Sequence, residues 1–198
     1  MSVGRNVAIA LSGGVDSAVA AALLQRQGLD LQGVHLRLSP LAPPPDRVEA
    51  LAHYLGIPLT VLDLQAEFAR EVVDYFVSEY IRGRTPSPCV RCNAAIKFGY
   101  LWEFLKKDGV TRLATGHYAR LNLDDQDAPA LYRGLDRRKD QSYFLSRLPL
   151  SLLPNLLFPL GQMTKEEVRR IARQAGLPVR EDQPESMDLC FIPGGGYR

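Results

Sequence analysis

The 198-residue sequence is poor in sulfur, with three cysteines and three methionines. Three cysteines are too few, and odd in number, for a disulfide framework; such usage fits a reducing, cytoplasmic compartment. Long apolar runs are also missing. Nothing approaches the ~18 residues of a membrane-spanning helix, so no membrane partner is expected. The first residues hold only a short apolar run before Ser12-Gly13-Gly14, which is no signal-peptide core. Charge of one sign is not in excess either: 24 basic against 22 acidic residues leave +2, and net charge alone gives no sign of nucleic acid. There is no internal repeat and no low-complexity tract. What is present is an ordinary globular composition, 46% hydrophobic and 23% charged, which excludes a disordered chain.

The pattern along the chain alternates. Val7 to Leu11 is a continuous apolar run, as in a strand buried on both faces. Ala18 to Gln27 predicts a helix with Gly28 as its stop. Leu31 to Leu38 predicts a second strand, Pro40 to Pro45 a linker, Asp46 to Tyr54 a helix, and Leu59 to Leu64 a third strand. Ala66 to Arg82 reads as one long helix, Gly83 to Cys92 as a loop, and Asn93 to Asp108 as another helix. Leu113 to Thr115 is a short strand, Leu121 to Asp136 a β-hairpin, and Gln141 to Leu148 and Lys165 to Gln174 are helices. Pro178 to Asp188 reads as extended or loop. This order predicts an α/β fold, a doubly wound and mostly parallel sheet with a small C-terminal extension. The three glycines at 194–196 predict a flexible tail or a chain cut from something longer.

Ser12-Gly13-Gly14-Val15-Asp16-Ser17 stands between the first strand and the first helix. Glycines let a backbone approach a bound anion, and free N–H groups at a helix start can bond phosphate oxygens. Ser12 and Ser17 add hydroxyl donors. Asp16 would repel phosphate, so its expected task is to hold Mg²⁺ against it. The segment matches neither of the two common glycine-rich nucleotide motifs. It resembles the signature of the PP-loop ATP pyrophosphatase superfamily, whose members adenylate a carbonyl oxygen and release pyrophosphate.

Four further segments resemble one family within it, the bacterial tRNA-specific 2-thiouridylases of the MnmA/TrmU type. They are Gly83-Arg84-Thr85-Pro86-Ser87-Pro88 leading to Cys92-Asn93 and Ile96-Lys97-Phe98; Ala114 to Arg120; Lys139 to Leu145; and Phe158-Pro159-Leu160-Gly161 leading to Cys190-Phe191-Ile192. The resemblance implies ATP activation of the C2 oxygen of uridine 34 in tRNA and its replacement by sulfur from a cysteine persulfide. By position it implies Cys92 as nucleophile and Cys190 as persulfide carrier. It implies ATP contacts at Ala10, Leu11, Ser12, Gly13, Gly14, Val15, Asp16, Ser17, Leu36 and Gly116. It implies contact with tRNA or its target base at Ser87, Pro88, Cys89, Lys139, Asp140 and Gln141. The implied partners are tRNA and a sulfur-donor protein, a cysteine desulfurase or a relay. A disulfide bond is implied as part of the same cysteine chemistry.

Both cysteines should sit near positive charge or a helix N-terminus, since the thiolate is the active form. Cys92 is expected at the start of the helix from Asn93, with Arg91 beside it. His117 reads as a local hydrogen-bonder and receives no chemical role. The family pattern commonly has aspartate where this sequence has Cys89. The result is a C-x-x-C pair, and Cys89, Cys92 and Cys190 could hold a [4Fe–4S] cluster with one iron open. Persulfide chemistry with a spare Cys89, and zinc completed by a ligand such as His117, are the other readings.

The expected organisation is a PP-loop ATP-binding catalytic domain over 1–145 and the start of a central region carrying the second cysteine over 146–198. Family members usually continue into a further domain and a β-barrel. A fragment, or a short paralogue acting on another nucleoside or a small molecule, would explain the length.

Overall fold

The computed structural model describes residues 7–40, 44–180 and 189–192. Parts of the predicted linker over 40–45 and of the segment over 178–188, and the glycine tail, lie outside the described residues.

Strand β1 (Val7–Ala10) is the centre of a five-stranded parallel sheet. On one side lie β2 (Leu31–Arg37) and then β3 (Leu59–Asp63); on the other lie β4 (Arg112–Ala114) and, at the edge, a later two-residue strand, Leu156–Leu157. The register pairs Ile9 with Gly33 and with Ala114. Because side chains alternate along a strand, β1 feeds two cores. Val7 and Ile9 pack with helix α1 (Val15–Arg26), helix α2 (Asp46–Leu55) and, later in the chain, Val168 and Ala172. Ala8 packs on the opposite face with Phe98, Leu101, Trp102, Leu105 and Leu145. The apolar run of β1 therefore reflects cover on both faces, as a doubly wound parallel sheet requires.

The predicted long helices form with interruptions. Residues 65–81 run as α3 (Gln65–Phe68), a π-helical turn (Ala69–Val73) and α4 (Asp74–Ile81). The predicted loop over 83–92 ends in a helix, α5 (Pro88–Cys92), with Pro88 in its first turn. A π-helical stretch (Asn93–Tyr100) follows without a break and passes into α6 (Leu101–Lys107). Proline is tolerated in a first turn because its missing N–H has no partner there anyway, so Pro88 starts a helix where a loop was expected.

The hairpin forms as β5 (Ala119–Leu123) and β6 (Pro129–Arg133), antiparallel and separate from the main sheet. The helix expected over 141–148 is only a 3₁₀ turn at Ser142–Leu145; a second, Leu150–Asn155, leads into the edge strand β7 (Leu156–Leu157). Pro149 and Pro154 limit helix growth there. The last helix, α7 (Lys165–Gln174), opens on a capping box: Thr164 accepts from the Glu167 amide and Glu167 accepts from the Thr164 amide. It lies against α1 and buries Val168 completely, a contribution of about 1.5–3 kcal/mol.

Candidate functional site

The strand order reverses direction between β1 and β4, and ligands of open α/β sheets bind outside the carboxyl ends of strands at such a point. The Ser12–Ser17 segment leaves the end of β1 there. Gly13 adopts a φ of +79°, which side-chain-bearing residues rarely take, and lies against Val48 of α2. Gly14 caps α1 without any side-chain hydrogen bond, so the first amides of this twelve-residue helix have no side-chain cap. The loop is held by its own serines. Ser17 Oγ donates to the Gly14 carbonyl at 3.1 Å, accepts from the Ser12 amide at 3.2 Å, and lies 3.2 Å from Ser12 Oγ. Uncapped amides beside a positive helix end form a receptor for an anion.

Ala10 and Leu11 lead directly into this loop; the Leu11 amide bonds Val34 O and the Leu11 carbonyl lies 2.8 Å from His35 Nδ1. Gly116, after β4, touches the loop itself. A Cβ at that position would lie 2.9 Å from both the Asp16 carbonyl carbon and the Ser17 nitrogen. Only glycine allows the two loops so close together. Leu36, near the end of β2, packs against both the cluster that contains Cys92 and the one that contains Ala8 and Phe98.

Asp16 is already paired. Lys165 Nζ lies 2.6 Å from Oδ1 and 2.7 Å from Oδ2, and the Tyr118 hydroxyl donates to Oδ1 at 2.8 Å. No local sequence pattern marks Tyr118 or Lys165 for a role at this site. A lysine in a helix first turn looks like a solvated charge, yet Lys165 is 8% exposed. Asp140 and Gln141 also act within the fold. Asp140 accepts from the Gly134 amide, the Ser142 amide and the Ser142 hydroxyl. Burial pushes its carboxyl up, but these bonds outweigh it and hold the group below its ordinary value. The Gln141 amide bonds Tyr118 O at 2.9 Å, and Gln141 Oε1 accepts from the Tyr118 amide at 3.0 Å. Lys139 follows the turn at Asp136, whose carbonyl its amide bonds.

The cysteines differ from expectation in three ways. All are free thiols, so the implied disulfide bond is not formed. Cys92 is the last residue of α5, not the first of the next helix; Ser87 is the N-cap, and Cys89 is the thiol in the first turn. Arg91 turns away from the thiols, donating to Glu71 Oε2 at 2.6 Å and to the Glu71 carbonyl at 3.1 Å, over the Tyr75 ring.

The cation beside the thiols is Lys97. Cys92 is buried with Leu64, Phe68, Val72 and Ile96, and burial pushes its thiol up to about 11; Lys97 pulls it down, while Cys190 and Cys89 push it further up. Burial likewise raises Cys89 and Cys190, and Lys97 opposes it at both. Phe191 packs edge-on against Phe68 and Phe76, pinning the Cys190 segment over this cluster. The middle of the chain and its C-terminal part thus bring their thiols into electrostatic reach of one another. His117 is buried and neutral, its pKa depressed by burial and then by Lys97, and its Nδ1 lies 2.7 Å from Thr115 Oγ1.

Among the described residues no three His, Cys, Asp or Glu side chains gather closely enough to hold a metal ion. As placed, Cys89, Cys92 and Cys190 form no such group. Among the described residues no helix is long and apolar enough to cross a membrane.

A sheet wound on both faces, with a glycine loop and uncapped helix start at its reversal point, defines a HUP-type α/β domain. The chain belongs to the family described as tRNA methyl transferase HUP domain, whose model matches residues 5–194. It is 52% identical over 199 residues to the tRNA-specific 2-thiouridylase MnmA of Acidithiobacillus ferrooxidans, covering 98% of this chain and 56% of the relative. The protein of the same name from Thermus thermophilus is 42% identical, covering 96% of this chain and 55% of the relative. The chain therefore spans little more than half the length of these relatives. A solved 4-thiouridine synthetase–RNA complex with bound ATP shares the fold at a TM-score of 0.60 and 16% identity, over 93% of this chain and 44% of the other.

Proposed function

We propose that this chain is the ATP-activating and sulfur-transferring part of a tRNA 2-thiouridylase, with residues 1–145 binding ATP and 146–198 bringing the second cysteine. What carries the reading is that the Cys190 segment, through Phe191, packs on the hydrophobic cluster that buries Cys92, 98 residues away in sequence, within electrostatic reach of Lys97. The hydrophobic cluster around Cys92 takes in Leu36 and Leu62 from the carboxyl ends of β2 and β3, on the sheet that also carries the phosphate-type loop. Relatives named tRNA-specific 2-thiouridylase support the substrate class.

The C2 carbonyl of uridine is urea-like and a poor electrophile. In the proposed reaction its oxygen attacks the α-phosphorus of ATP and pyrophosphate leaves. The terminal sulfur of a persulfide on Cys190 then bonds C2, and AMP departs with the electrons of the broken C–O bond. The Cys92 thiolate next attacks the Cys190 sulfur, and the S–S bond to the transferred sulfur breaks with its electrons left on that sulfur as 2-thiouridine. The Cys92–Cys190 disulfide so formed is reopened by an external dithiol reductant. Cys92 is assigned as the nucleophile of sulfur transfer. The loop over 12–17, with Ala10 and Leu11 leading into it, Gly116 against it and Leu36 near the carboxyl end of the neighbouring strand β2, binds the nucleotide. Mg²⁺ held chiefly by phosphate oxygens would neutralise them, and Asp16 is the residue that would touch it once Lys165 gives way. Ser87, Pro88 and Cys89 face the target base, and the turn at Lys139 with its neighbouring arginines meets tRNA phosphate. A sulfur-donor protein loads Cys190.

The test incubates the purified chain with ATP, Mg²⁺, a persulfide source and unmodified tRNA, and reads AMP, pyrophosphate and 2-thiouridine by mass spectrometry. Thiolation is expected with the wild type and absent with Cys92→Ala. Undiminished 2-thiouridine with that variant would overturn the nucleophile assignment. ATP turnover with free metabolites but none with tRNA would move the reading to another nucleoside or a small molecule.

A further inference from the structure

The carboxylate of Asp16 is the junction of two paths that end in one loop. One path runs through Tyr118. Its hydroxyl holds Asp16 Oδ1, and its backbone exchanges two hydrogen bonds with Gln141, at 3.0 and 2.9 Å. The other runs through Lys165. Its ammonium spans both oxygens of Asp16, and its own amide donates to Asp136 Oδ2 at 3.0 Å. Between those ends, residues 134–142 form one tied loop: Asp140 gathers the amides of Gly134 and Ser142, and the Leu135 amide bonds Gly161 O at 2.9 Å. Tyr118 is 2% and Lys165 8% exposed, so neither path has slack from solvent. Gly134 removes what remains, since a Cβ there would lie 2.8 Å from the Tyr118 carbonyl oxygen.

An anion entering the loop at 12–17 comes to the same carboxylate junction. Phosphate competes with Asp16 for the Lys165 ammonium, and any cation accompanying it competes with Lys165 for Asp16. Either exchange loosens the side-chain anchor of Lys165 on Asp16, and movement of Asp16 does the same for Tyr118, the two residues whose backbones bond Asp136 and Gln141 at the ends of the loop over 134–142. We propose that Tyr118 and Lys165 are positioning residues that join the nucleotide loop to residues 134–142, so that nucleotide binding resets the segment offered to RNA. This rests on the nucleotide and RNA roles proposed above. Coupling of this kind is reciprocal: RNA held by the loop shifts nucleotide affinity by the same factor.

Hydrogen–deuterium exchange tests it on the purified chain with and without a non-hydrolysable ATP analogue and Mg²⁺. In the wild type, exchange is expected to change both in peptides covering 12–17 and in peptides covering 134–142. Tyr118→Phe deletes one hydroxyl and keeps the ring and the Gln141 bonds. It is expected to keep the response at 12–17 while reducing that at 134–142 by about threefold, a readout of local opening that loss of global stability would not confine to one loop. Lys165→Met, read at saturating analogue, is the second variant and should act in the same direction. A response at 12–17 with none at 134–142 in the wild type, or transmission to 134–142 in both variants equal to that of the wild type, would overturn the inference and leave the nucleotide site standing. No response at 12–17 would remove the nucleotide reading and this inference with it.

Discussion

Gly99 faces the carbonyl oxygen of Ala94 so closely that a Cβ would sit 2.9 Å from it. The two residues are five apart, the spacing that a π-helical turn closes. The same spacing separates Cys92 from Lys97. In an α-helix, at 3.6 residues per turn, residues five apart point about 140° away from each other. The π-helical stretch returns Lys97 beneath Cys92 and puts a cation at the thiol site.

Gly99→Ala is therefore expected to destabilise the protein although it replaces glycine inside a helix. Ordinary helix propensity would favour alanine by about 1 kcal/mol. The contact with Ala94 O is backbone on one side, so relief requires the turn to shift, and overpacking of this kind costs about 1–3 kcal/mol. Urea denaturation should show a net loss of up to about 2 kcal/mol. A gain in stability would mean the helix closes into an α-turn without penalty.

Much of this was legible in the sequence. The run Val7–Leu11, the glycine loop and the alternating order were enough for a doubly wound sheet, and the cluster Asp124 to Ala128 was enough for the hairpin turn, where Asp124 Oδ1 accepts from the amides of Gln126 and Ala128. Local signals carried these elements. The π-helical turns were not legible, because apolar spacing over 93–108 fits an α-helix and only Gly99 hints otherwise. β7 was missed because a two-residue edge strand has no period. Lys165 and Tyr118 were missed for a different reason: their partner lies 149 and 102 residues away, and no local pattern distinguishes a buried lysine from a solvated one. Arg91 was the neighbour in sequence and Lys97 the neighbour in space.

Substitutions at the two ends of the Asp16–Lys165 pair should not be equivalent. Asp16→Ala leaves a buried ammonium without its carboxylate, and breaking a buried pair in this way costs about 3–5 kcal/mol. Lys165→Met leaves a carboxylate whose side chain is 35% exposed and which keeps the Tyr118 hydroxyl. Its loss should be nearer about 1 kcal/mol, in the range of a partly solvated interaction. Paired chemical denaturation curves check this; equal losses would mean that water reaches Lys165 freely.

Thr164→Ala should loosen the start of α7. It removes the hydroxyl that accepts from the Glu167 amide at 3.2 Å and donates to Glu167 Oε2 at 2.9 Å. Loss of a capping residue costs about 1 kcal/mol. Exchange of the first-turn amides of α7 should rise accordingly, and with it the mobility of the Lys165 ammonium at the nucleotide loop. Thr164→Ser, which keeps the hydroxyl, should restore most of the protection.

The thiols should respond to pH in an order set by burial. Cys92 has a pKa near 11 and is buried, whereas Cys89 and Cys190 are exposed. Iodoacetamide at neutral pH should therefore modify Cys89 and Cys190 first, with Cys92 modification rising about tenfold per pH unit below its pKa, because the thiolate is the reacting form. The linkage has a definite sign. The folded pKa of Cys92 lies above its ordinary value of 9.0, so its contribution to stability is complete below pH 9 and is lost as pH rises from about 9 to about 11. Cys92→Ala should flatten that part of the stability curve relative to the wild type. Lys97→Met should move the Cys92 alkylation midpoint higher still, because it removes the cation that opposes burial, whereas Lys97→Arg should hold it near the wild-type value. Mass spectrometry of the alkylated peptides across pH separates the three sites. An unchanged midpoint in Lys97→Met would show that burial alone governs the thiol and that the π-helical turn has no electrostatic consequence there.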